Sequence, residues 1–542
     1  MRLISRTALV LALATSTPLL AQQKQGQFGA EALAATAKPI HPGVPGQTPF
    51  WNQYSWQFIY APTFDFKDIA GAAKYRFEVV SESGGASLTF VADHPWAPLS
   101  PVWTKVPVGY FTVTVKGLDS ARKVVGQPIT ARHYRAQWFN GPYNVPPVMD
   151  YSKSASVALD HLLSQKFVQY WFDHKAPDPS YGLYRYPAKI WGALVVGAVT
   201  QAKLKAGTPE AEHMTQLARI IADKLLEVSF KPGTPLEYIP PTYHREGYET
   251  YFKETGKIKT DSNLTISAID GGVAFLELYD LTHDPKYLQE AERIARTLVK
   301  LQLPSGTWYT FMYPTTGKAT YPNLAIPTAI LNYFDRLIEQ YHIKGFDGPR
   351  ERTLQWLLNN PVKTFDWQAQ FEDTGVHAPY RNQSREQACD LAIYLLHHRK
   401  DNPKYGPLAE ELIRYAEDQF VVWEVPKIPY VLKGKRQQEP DAIPANWITP
   451  TAQEQFTYWM PVSRTAAIMM DTYRVAYETT HKPIYLAKAR SFANTFTKVQ
   501  KAHNGEYPTM FSAEKSNFWL NNLIYPARFM MIFDRSLKVG NK

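Results

Sequence analysis

The sequence predicts a mainly α-helical protein of two domains, in which a small N-terminal β-sandwich precedes a closed ring of paired helices. Between residues 48 and 140, polar and apolar residues alternate with the period of half-buried strands. From residue 150 onward, apolar residues recur every three or four positions, as in amphipathic helices. Two distant segments of the helical part repeat each other. The chain of 542 residues is also longer than one hydrophobic core usually serves.

The first 21 residues are typical of a secretory signal peptide. Arg2 and Arg6 precede an apolar run at residues 8–20, and a small residue follows it. The run is too short to cross a membrane as a helix. We therefore expect a secreted or periplasmic protein without stable membrane insertion. Residues 22–47 are rich in Ala, Gln, Gly and Pro, which predicts a flexible lead-in.

Residues 48–140 predict the β-sandwich. The runs 74–79 and 110–115 alternate polar and apolar residues, and Gly109 and Gly117 flank the second run. The residues just before the first run resemble the second-strand entry of fibronectin-type modules. We expect this domain to support the helical part or to contact substrate.

Residues 150–535 carry the repeat. Segment 279–288, YDLTHDPKYL, is matched by 477–486, YETTHKPIYL, and a weaker third copy lies at 398–405. Each copy ends one helix, turns at a proline and begins another helix at a tyrosine. Loops with glycine and aromatic residues follow the first two copies. Repeated helical hairpins indicate a stacked or closed array. The long loops and uneven spacing favour a closed ring over an open repeat protein.

This pattern resembles the six-hairpin (α/α) toroid superfamily of carbohydrate-active enzymes. The resemblance covers residues 150–535 and rests on the proline–tyrosine turns and the glycine–aromatic loops. It implies an (α/α)6-type toroid with a funnel-shaped pocket at one end. It also implies an enzyme among the glycoside hydrolases, polysaccharide lyases or sugar epimerases. No single family is identified, so the candidate chemistry depends on individual residues.

The loop 371–382 carries the densest set of reactive side chains. Hydrolysis of a glycosidic bond requires two carboxyl groups, and Glu372 and Asp373 supply such a pair. Elimination beside a uronate requires instead an acid, a base and a group that neutralises the carboxylate. The residues of the loop that suit elimination are His377, Tyr380, Arg381 and Asn382.

Two further carboxylates are candidates for catalysis. Glu454 lies among aromatic residues that include Tyr458 and Trp459, where burial can raise the pKa of a carboxyl group. Asp270 lies in an apolar helical stretch beside two glycines, and a buried Asp there requires a partner. We expect Glu454 and Asp270 to contribute to the site, and Tyr458 and Trp459 to contact substrate.

Other loops offer sugar contacts. The loop at residues 241–248 and the loop at residues 304–309 combine aromatic with polar side chains. Their candidate substrate-binding residues are Tyr243, His244, Arg245, Trp308 and Tyr309. The late segment 519–526 is expected to close the ring, with Asn521 or Tyr525 facing the pocket.

Several functional classes are not supported. The 14 histidines are dispersed without ligand spacing, and Cys389 is the only cysteine, so we expect no metal and no cofactor. The net charge of +10 could favour an acidic polysaccharide, but the basic residues are scattered, so we expect no nucleic-acid partner. Aromatic residues make up 14% of the chain, which suits a saccharide cleft.

Together these features predict an exported enzyme that cleaves glycosidic bonds in a poly- or oligosaccharide, with acidic polymers among the candidate substrates. Hydrolysis through Glu372, Asp373 and Glu454 is the leading hypothesis. The second hypothesis is a polysaccharide lyase. Its acid and base would come from Tyr243, His244, His377 and Tyr380, and its carboxylate-binding group from Arg245 or Arg381. A non-catalytic glycan-binding protein is the third hypothesis, and a sugar epimerase is the fourth.

Overall fold

The computed structural model describes residues 28–42, 50–141, 147–248, 261–372, 374–425, 447–511 and 519–539. The predicted signal peptide and the candidate Asp373 lie outside the described residues, as do the side chains of Tyr458 and Trp459. The predicted lead-in is described only over residues 28–42, which include a short helix. No helix in the described ranges is long and apolar enough to cross a membrane.

The described part of the chain is mainly helical. The helices are α1 Gly29–Ala35, α2 Ser100–Trp103, α3 Tyr151–Leu163, α4 Lys166–His174, α5 Gly192–Leu204, α6 Pro209–Val228, α7 Ala268–Thr282, α8 Pro285–Leu301, α9 Thr328–Glu339, α10 Asp347–Asn359, α11 Pro361–Thr364, α12 Glu386–His397, α13 Tyr405–Phe420, α14 Ser463–Thr480, α15 Pro483–Ala502 and α16 Leu520–Val539. The strands are β1 Lys74–Ser81, β2 Leu88–Ala92, β3 Gly109–Leu118, β4 Val124–Arg135, β5 Asn263–Leu264, β6 Phe311–Met312, β7 Val421–Val422, β8 Thr451–Gln455 and β9 Tyr458–Pro461.

Six of these helices form a closed inner ring. Helices α5, α7, α9, α12, α14 and α16 each pack against the next, and α16 packs against α5. Each inner helix also packs against one outer helix, namely α6, α8, α10, α13, α15 and α3 in the same order. The last hairpin therefore joins the C-terminal helix to α3, from the start of the helical part. An inner helix is covered on most sides, which explains why α5 is buried at nearly every position.

The two clear sequence repeats adopt the same turn. His283 ends α7 in a left-handed conformation with φ 54° and ψ 21°, and His481 ends α14 with φ 56° and ψ 21°. Each histidine N–H donates to a tyrosine carbonyl 2.7 Å away, of Tyr279 or Tyr477. In the weaker third copy His398 has φ −95°, so that helix ends differently. A local turn motif thus connects an inner helix to its outer partner in two of the hairpins.

Described residues 50–141 contain one four-stranded sheet, so the predicted β-sandwich is supported only in part. The order of its antiparallel strands is β2-β1-β3-β4. A second sheet is absent from described residues 50–141, because residues 58–72 are irregular and α2 occupies part of the link between β2 and β3. These segments cover one face of the sheet. Phe58 and Trp103 there join Phe77 and Val113 in a separate core.

The sheet domain is attached to the ring through a buried carboxyl group. Asp418, near the end of outer helix α13, accepts hydrogen bonds from the backbone N–H of Ile59 at 2.5 Å and of Tyr60 at 2.7 Å. The side chain of Gln57 donates to the carbonyl of Val421 at 3.1 Å. Backbone groups of the N-terminal segment are thereby satisfied by the toroid, and this fixes the position of one domain on the other.

Candidate active site

A cavity of about 460 Å³ lies within the inner ring. Its wall extends from Glu386, at the start of α12, to His397 at the end of that helix. A helix rises about 16 Å over that interval, so the cavity penetrates deeply into the ring. The inner helices run in the same direction, because an antiparallel outer helix separates each from the next along the chain. Their positive N-terminal ends therefore meet at one end of the cavity, which we call the mouth.

A buried ion pair connects two inner helices near the mouth. Arg464 Nη2 on α14 lies 2.7 Å from Glu386 Oε1 on α12. A second cation, Arg385, lies 3.6 Å from the other carboxylate oxygen of Glu386. Burial opposes ionisation of Glu386, but the two arginines outweigh it and lower its pKa to about 2. Glu386 is therefore a carboxylate at any physiological pH.

Two other acids on the cavity wall have the opposite character. Burial raises the pKa of Asp270 to about 7, although Arg464 and Lys189 favour its ionised form. Burial, reinforced by the charge of Glu386, also raises the pKa of Asp390 to about 7. Asp390 Oδ2 accepts a hydrogen bond of 3.3 Å from the hydroxyl of Thr328. The cavity thus combines two acids whose pKa values are raised with a carboxylate whose pKa is lowered, a separation of roles that acid–base catalysis uses.

The segment that contains Glu372 covers part of the mouth. Glu372 Oε1 lies 2.7 Å from the ammonium of Lys189, which belongs to the π-helical turn Pro187–Trp191 before α5. The hydroxyl of Tyr243 donates to the backbone carbonyl of Glu372 at 2.7 Å. The Lys189 ammonium also lies 5.8 Å from the ring centre of Phe371. Contacts from two other loops therefore hold this segment in place.

The opposite end of the cavity, toward the C-terminal ends of the inner helices, is rich in arginine. Arg336, Arg474 and Arg528 line it, and all three are paired. Glu277 lies 3.2 Å from Arg336 and 2.8 Å from Arg528. Asp471 lies 2.7 Å from Arg474. The Glu277 pairs connect α7 to its neighbour α9 and, past α5, to α16, so they help to hold the ring together. The Asp471–Arg474 pair lies within α14.

The structure places several predicted residues at this cavity. Asp270 and Glu372 lie on its wall, as do Asn521 and Tyr525 from the segment that closes the ring. Tyr243 is adjacent, because its hydroxyl holds the backbone of Glu372. Residues from α7, from α16 and from the loop after α11 are therefore brought together only by ring closure.

Three predicted residues are instead buried in supporting positions. Trp308 is fully buried and donates its indole N–H to the carbonyl of Leu298 at 2.7 Å. The Tyr380 hydroxyl donates to the carbonyl of Thr364 at 2.8 Å. The side chain of Asn382 donates to Gln455 at 3.0 Å and accepts from the Thr457 N–H at 2.9 Å. Their polar groups complete local structure, so these side chains are not on the cavity wall.

The remaining described candidates also lie away from the cavity wall. Arg381 is exposed, and Arg245 is exposed and paired with Asp261. The ring of His244 packs edge-on against Trp191. The other half-buried candidates are His377, Tyr309 and Glu454. A position in a polar, aromatic loop was therefore not enough to place these side chains on the cavity wall.

Sequence reasoning missed the residues that dominate the cavity. Glu386, Asp390 and Arg464 lie in helices whose apolar periodicity attracted attention to the fold. A usable signal existed, because Glu386 and Asp390 are separated by four residues and so share one helix face. The rule that selected Asp270, a charged residue within an apolar helix, also applies to Asp390. Among the described residues, no three His, Cys, Asp or Glu side chains are grouped to hold a metal ion.

No protein-family model and no curated protein matches the chain. Among solved structures, it is similar to a family 76 glycoside hydrolase from a bovine Bacteroides thetaiotaomicron strain. The identity is 12% and the TM-score 0.47, over 90% of this chain and 98% of that chain. A cellobiose 2-epimerase from Spirochaeta thermophila has 12% identity and a TM-score of 0.47, over 72% and 98% of the two chains.

An unsaturated glucuronyl hydrolase specific for heparin has 11% identity and a TM-score of 0.42, over 72% of this chain and 97% of that one. These similarities are weak, and the ring of six hairpins is established by the helix contacts of this chain itself.

Proposed function

We propose that the protein is a carbohydrate-active enzyme that hydrolyses a glycosidic bond of a poly- or oligosaccharide in the central cavity. One observation carries the proposal. Asp270, whose pKa is raised to about 7, shares the cavity wall with Glu372, whose carboxylate is paired with Lys189. Two carboxyl groups in different electrostatic surroundings are what this hydrolysis requires.

The roles follow from the surroundings of each group. Asp270 is largely protonated up to neutral pH, so it suits the acid that donates a proton to the leaving oxygen. Glu372 at the mouth suits the carboxylate that activates water or attacks the sugar. Glu386 stays ionised, and its negative charge would stabilise an oxocarbenium-like transition state. Arg464 keeps Glu386 in place from the neighbouring helix.

Elimination beside a uronate is the second candidate, and different residues now support it. Arg464 and Lys189 are cations on the same wall as Tyr525 and Asn521. The guanidinium carbon of Arg464 lies 5.1 Å from the centre of the Tyr525 ring. A cation that binds a carboxylate beside a phenol suits such a reaction. The loop residues His377 and Tyr380 do not share that wall.

One experiment separates these reactions. The purified protein is incubated with a panel of neutral and uronate polysaccharides, and new reducing ends are measured together with the ultraviolet absorbance of unsaturated uronate. Hydrolysis produces reducing ends alone, whereas elimination produces both signals. Solvent hydrogen exchange into an uncleaved sugar would instead identify an epimerase. Binding without turnover across the panel would identify a glycan-binding protein.

Three variants test the residue roles. We expect Asp270→Asn and Glu372→Gln to lower kcat by at least about a hundredfold, the usual contribution of acid–base groups. Glu454→Gln is the matched control, because Glu454 is a carboxylate outside the cavity wall, and it should retain most of the activity. Full activity of folded Asp270→Asn and Glu372→Gln would overturn the assignment.

We also propose that the protein is exported and that its signal peptide is removed. The proposal rests on the charged and apolar order of residues 1–21. Fractionation of expressing cells, with mass spectrometry of the mature N-terminus, tests it. Recovery of the full-length chain in the cytoplasm would contradict export.

A further inference from the structure

A second cavity, of about 290 Å³, lies beside the mouth of the central cavity. We call it the side groove. Gln370 and Phe371 line both cavities, so the same short segment separates them. The other walls come from the loop that contains β6, the end of α10 and the segment after α11. The side groove therefore leads outward from the proposed reaction site, at the end of the ring where the inner helices begin.

The chemistry of its wall suits uncharged sugars. Tyr321 is 37% exposed and Trp356 is half-buried, so both can present aromatic faces. Asn323 and Asn360 add amide groups that can donate and accept hydrogen bonds. Asp366 is the one charged residue among the described lining residues, and burial raises the pKa of its carboxyl group. Since the described lining includes no Lys or Arg, it offers no counter-ion to a uronate.

Hydrogen bonds hold this wall in shape. Gln370 accepts from the backbone N–H of Ile326 at 2.7 Å and donates to the carbonyl of Leu324 at 2.9 Å. Gln368 donates to Asp366 at 2.8 Å. The two Gln370 bonds tie the 366–371 segment to the opposite wall, and the Gln368 bond lies within the segment. A groove that is largely formed before binding loses less entropy when a ligand enters.

We propose that the side groove binds uncharged sugar residues of the glycan whose scissile bond enters the central cavity. This inference rests on the proposed function, since it assigns the groove to the same substrate. The inference implies a substrate of several sugars, some of them uncharged, that extends beyond the helical ring. A disaccharide held only within the ring would not reach the groove. Aromatic faces would stack on sugar rings, and the amides would bind their hydroxyl groups.

Affinity electrophoresis tests the side groove without requiring turnover. The protein is run through native gels that contain mannan, xylan, mixed-linkage glucan, alginate or polygalacturonate. We expect retardation by at least one neutral polymer. Tyr321→Ala and Trp356→Ala should each weaken that retardation about tenfold, the loss expected for one aromatic contact. Trp96→Ala is the control, because Trp96 stacks on His94 in the sheet domain.

The outcomes separate the inference from the proposed function. Asp270→Asn should stop cleavage and keep the retardation, whereas Tyr321→Ala should weaken the retardation. Tyr321 is 37% exposed, so Tyr321→Ala should leave the melting temperature unchanged. This variant therefore still tests the groove if Trp356→Ala fails to fold. Retardation by no neutral polymer, or equal retardation of both groove variants and wild type, would overturn the inference. If the wild-type protein cleaves no substrate but the groove variants still lose retardation, the proposed function is overturned and the sugar-binding role of the groove is not.

Discussion

Arg464 Nη2 lies 2.7 Å from Glu386 Oε1, and this pair connects the first turns of two neighbouring inner helices. Their side chains are 19% and 17% exposed, so water screens the pair only weakly. The pair therefore has two consequences, one for the stability of the ring and one for the charge of the cavity.

Removal of one partner of this ion pair should lower the stability of the protein. Glu386→Ala leaves the Arg464 guanidinium without its nearest carboxylate, and we expect the free energy of unfolding to fall by about 3–5 kcal/mol. The double variant Glu386→Ala/Arg464→Met removes both charges and should lose less than the sum of the two single variants. Urea unfolding followed by tryptophan fluorescence measures these differences. Strictly additive losses would show that the two side chains are not coupled.

The stability of the protein should depend on pH through Asp270. Its pKa is raised from 3.8 to about 7 in the folded state, so the protonated form contributes stability that is complete below pH 3.8 and lost as pH rises through about 7. Asp270→Asn does not titrate. Relative to wild type, its free energy of unfolding should therefore rise by on the order of 4 kcal/mol between acidic and mildly alkaline pH. Melting temperatures measured across that interval test this, and a pH-independent difference would contradict it.

Gly272 should resist substitution because α7 and α9 approach closely there. A Cβ atom at this position would lie 2.5 Å from the Cζ atom of Tyr333. That ring is buried, and its hydroxyl donates to the carbonyl of Ala291 at 2.8 Å. We expect Gly272→Ala to lower the free energy of unfolding by about 1–3 kcal/mol. Gly406→Ala, with open space around the added methyl group, should be neutral or slightly stabilising.

Asp418 should control the attachment of the sheet domain. Asp418→Ala removes the acceptor of two buried backbone N–H groups, those of Ile59 and Tyr60, and should destabilise the protein by about 2 kcal/mol or more. Burial raises the pKa of Asp418 to about 7, so the neutral amide in Asp418→Asn should be better tolerated. Limited proteolysis between residues 50 and 73 should accelerate in the Ala variant. Equal cleavage rates in both variants would exclude this role.

The hairpins could be predicted because their signals are local. The period of apolar residues places the helices, and a left-handed residue followed by proline defines the turns at His283 and His481. The sheet domain was predicted only in part. Alternation identified β1 and β3 correctly. It could not show that the segments around Phe58 and Trp103, which cover one face of this sheet, would be irregular or helical and would not form a second sheet.

The candidate site was predicted less completely, for a different reason. Asp270 and Glu372 were found because a charge in an apolar helix and a carboxylate in an aromatic loop are visible in the sequence. Trp308 and Asn382 carry similar signals but complete local hydrogen bonds. The sequence does not distinguish a side chain that faces a cavity from one that satisfies a neighbouring backbone group.

The repeated helical hairpins follow from local sequence signals, because the apolar period, the proline and the turn each act over a few residues. Which polar groups share the cavity depends instead on how the hairpins pack around the ring. Asp270, Glu386 and Arg464 lie in three separate hairpins and meet only when the ring closes. Their charges depend on that meeting, because burial and the distance between charged groups set the protonation of a carboxyl group. Ring closure therefore sets the protonation of Asp270 and Glu386, because it buries both carboxyl groups beside Arg464.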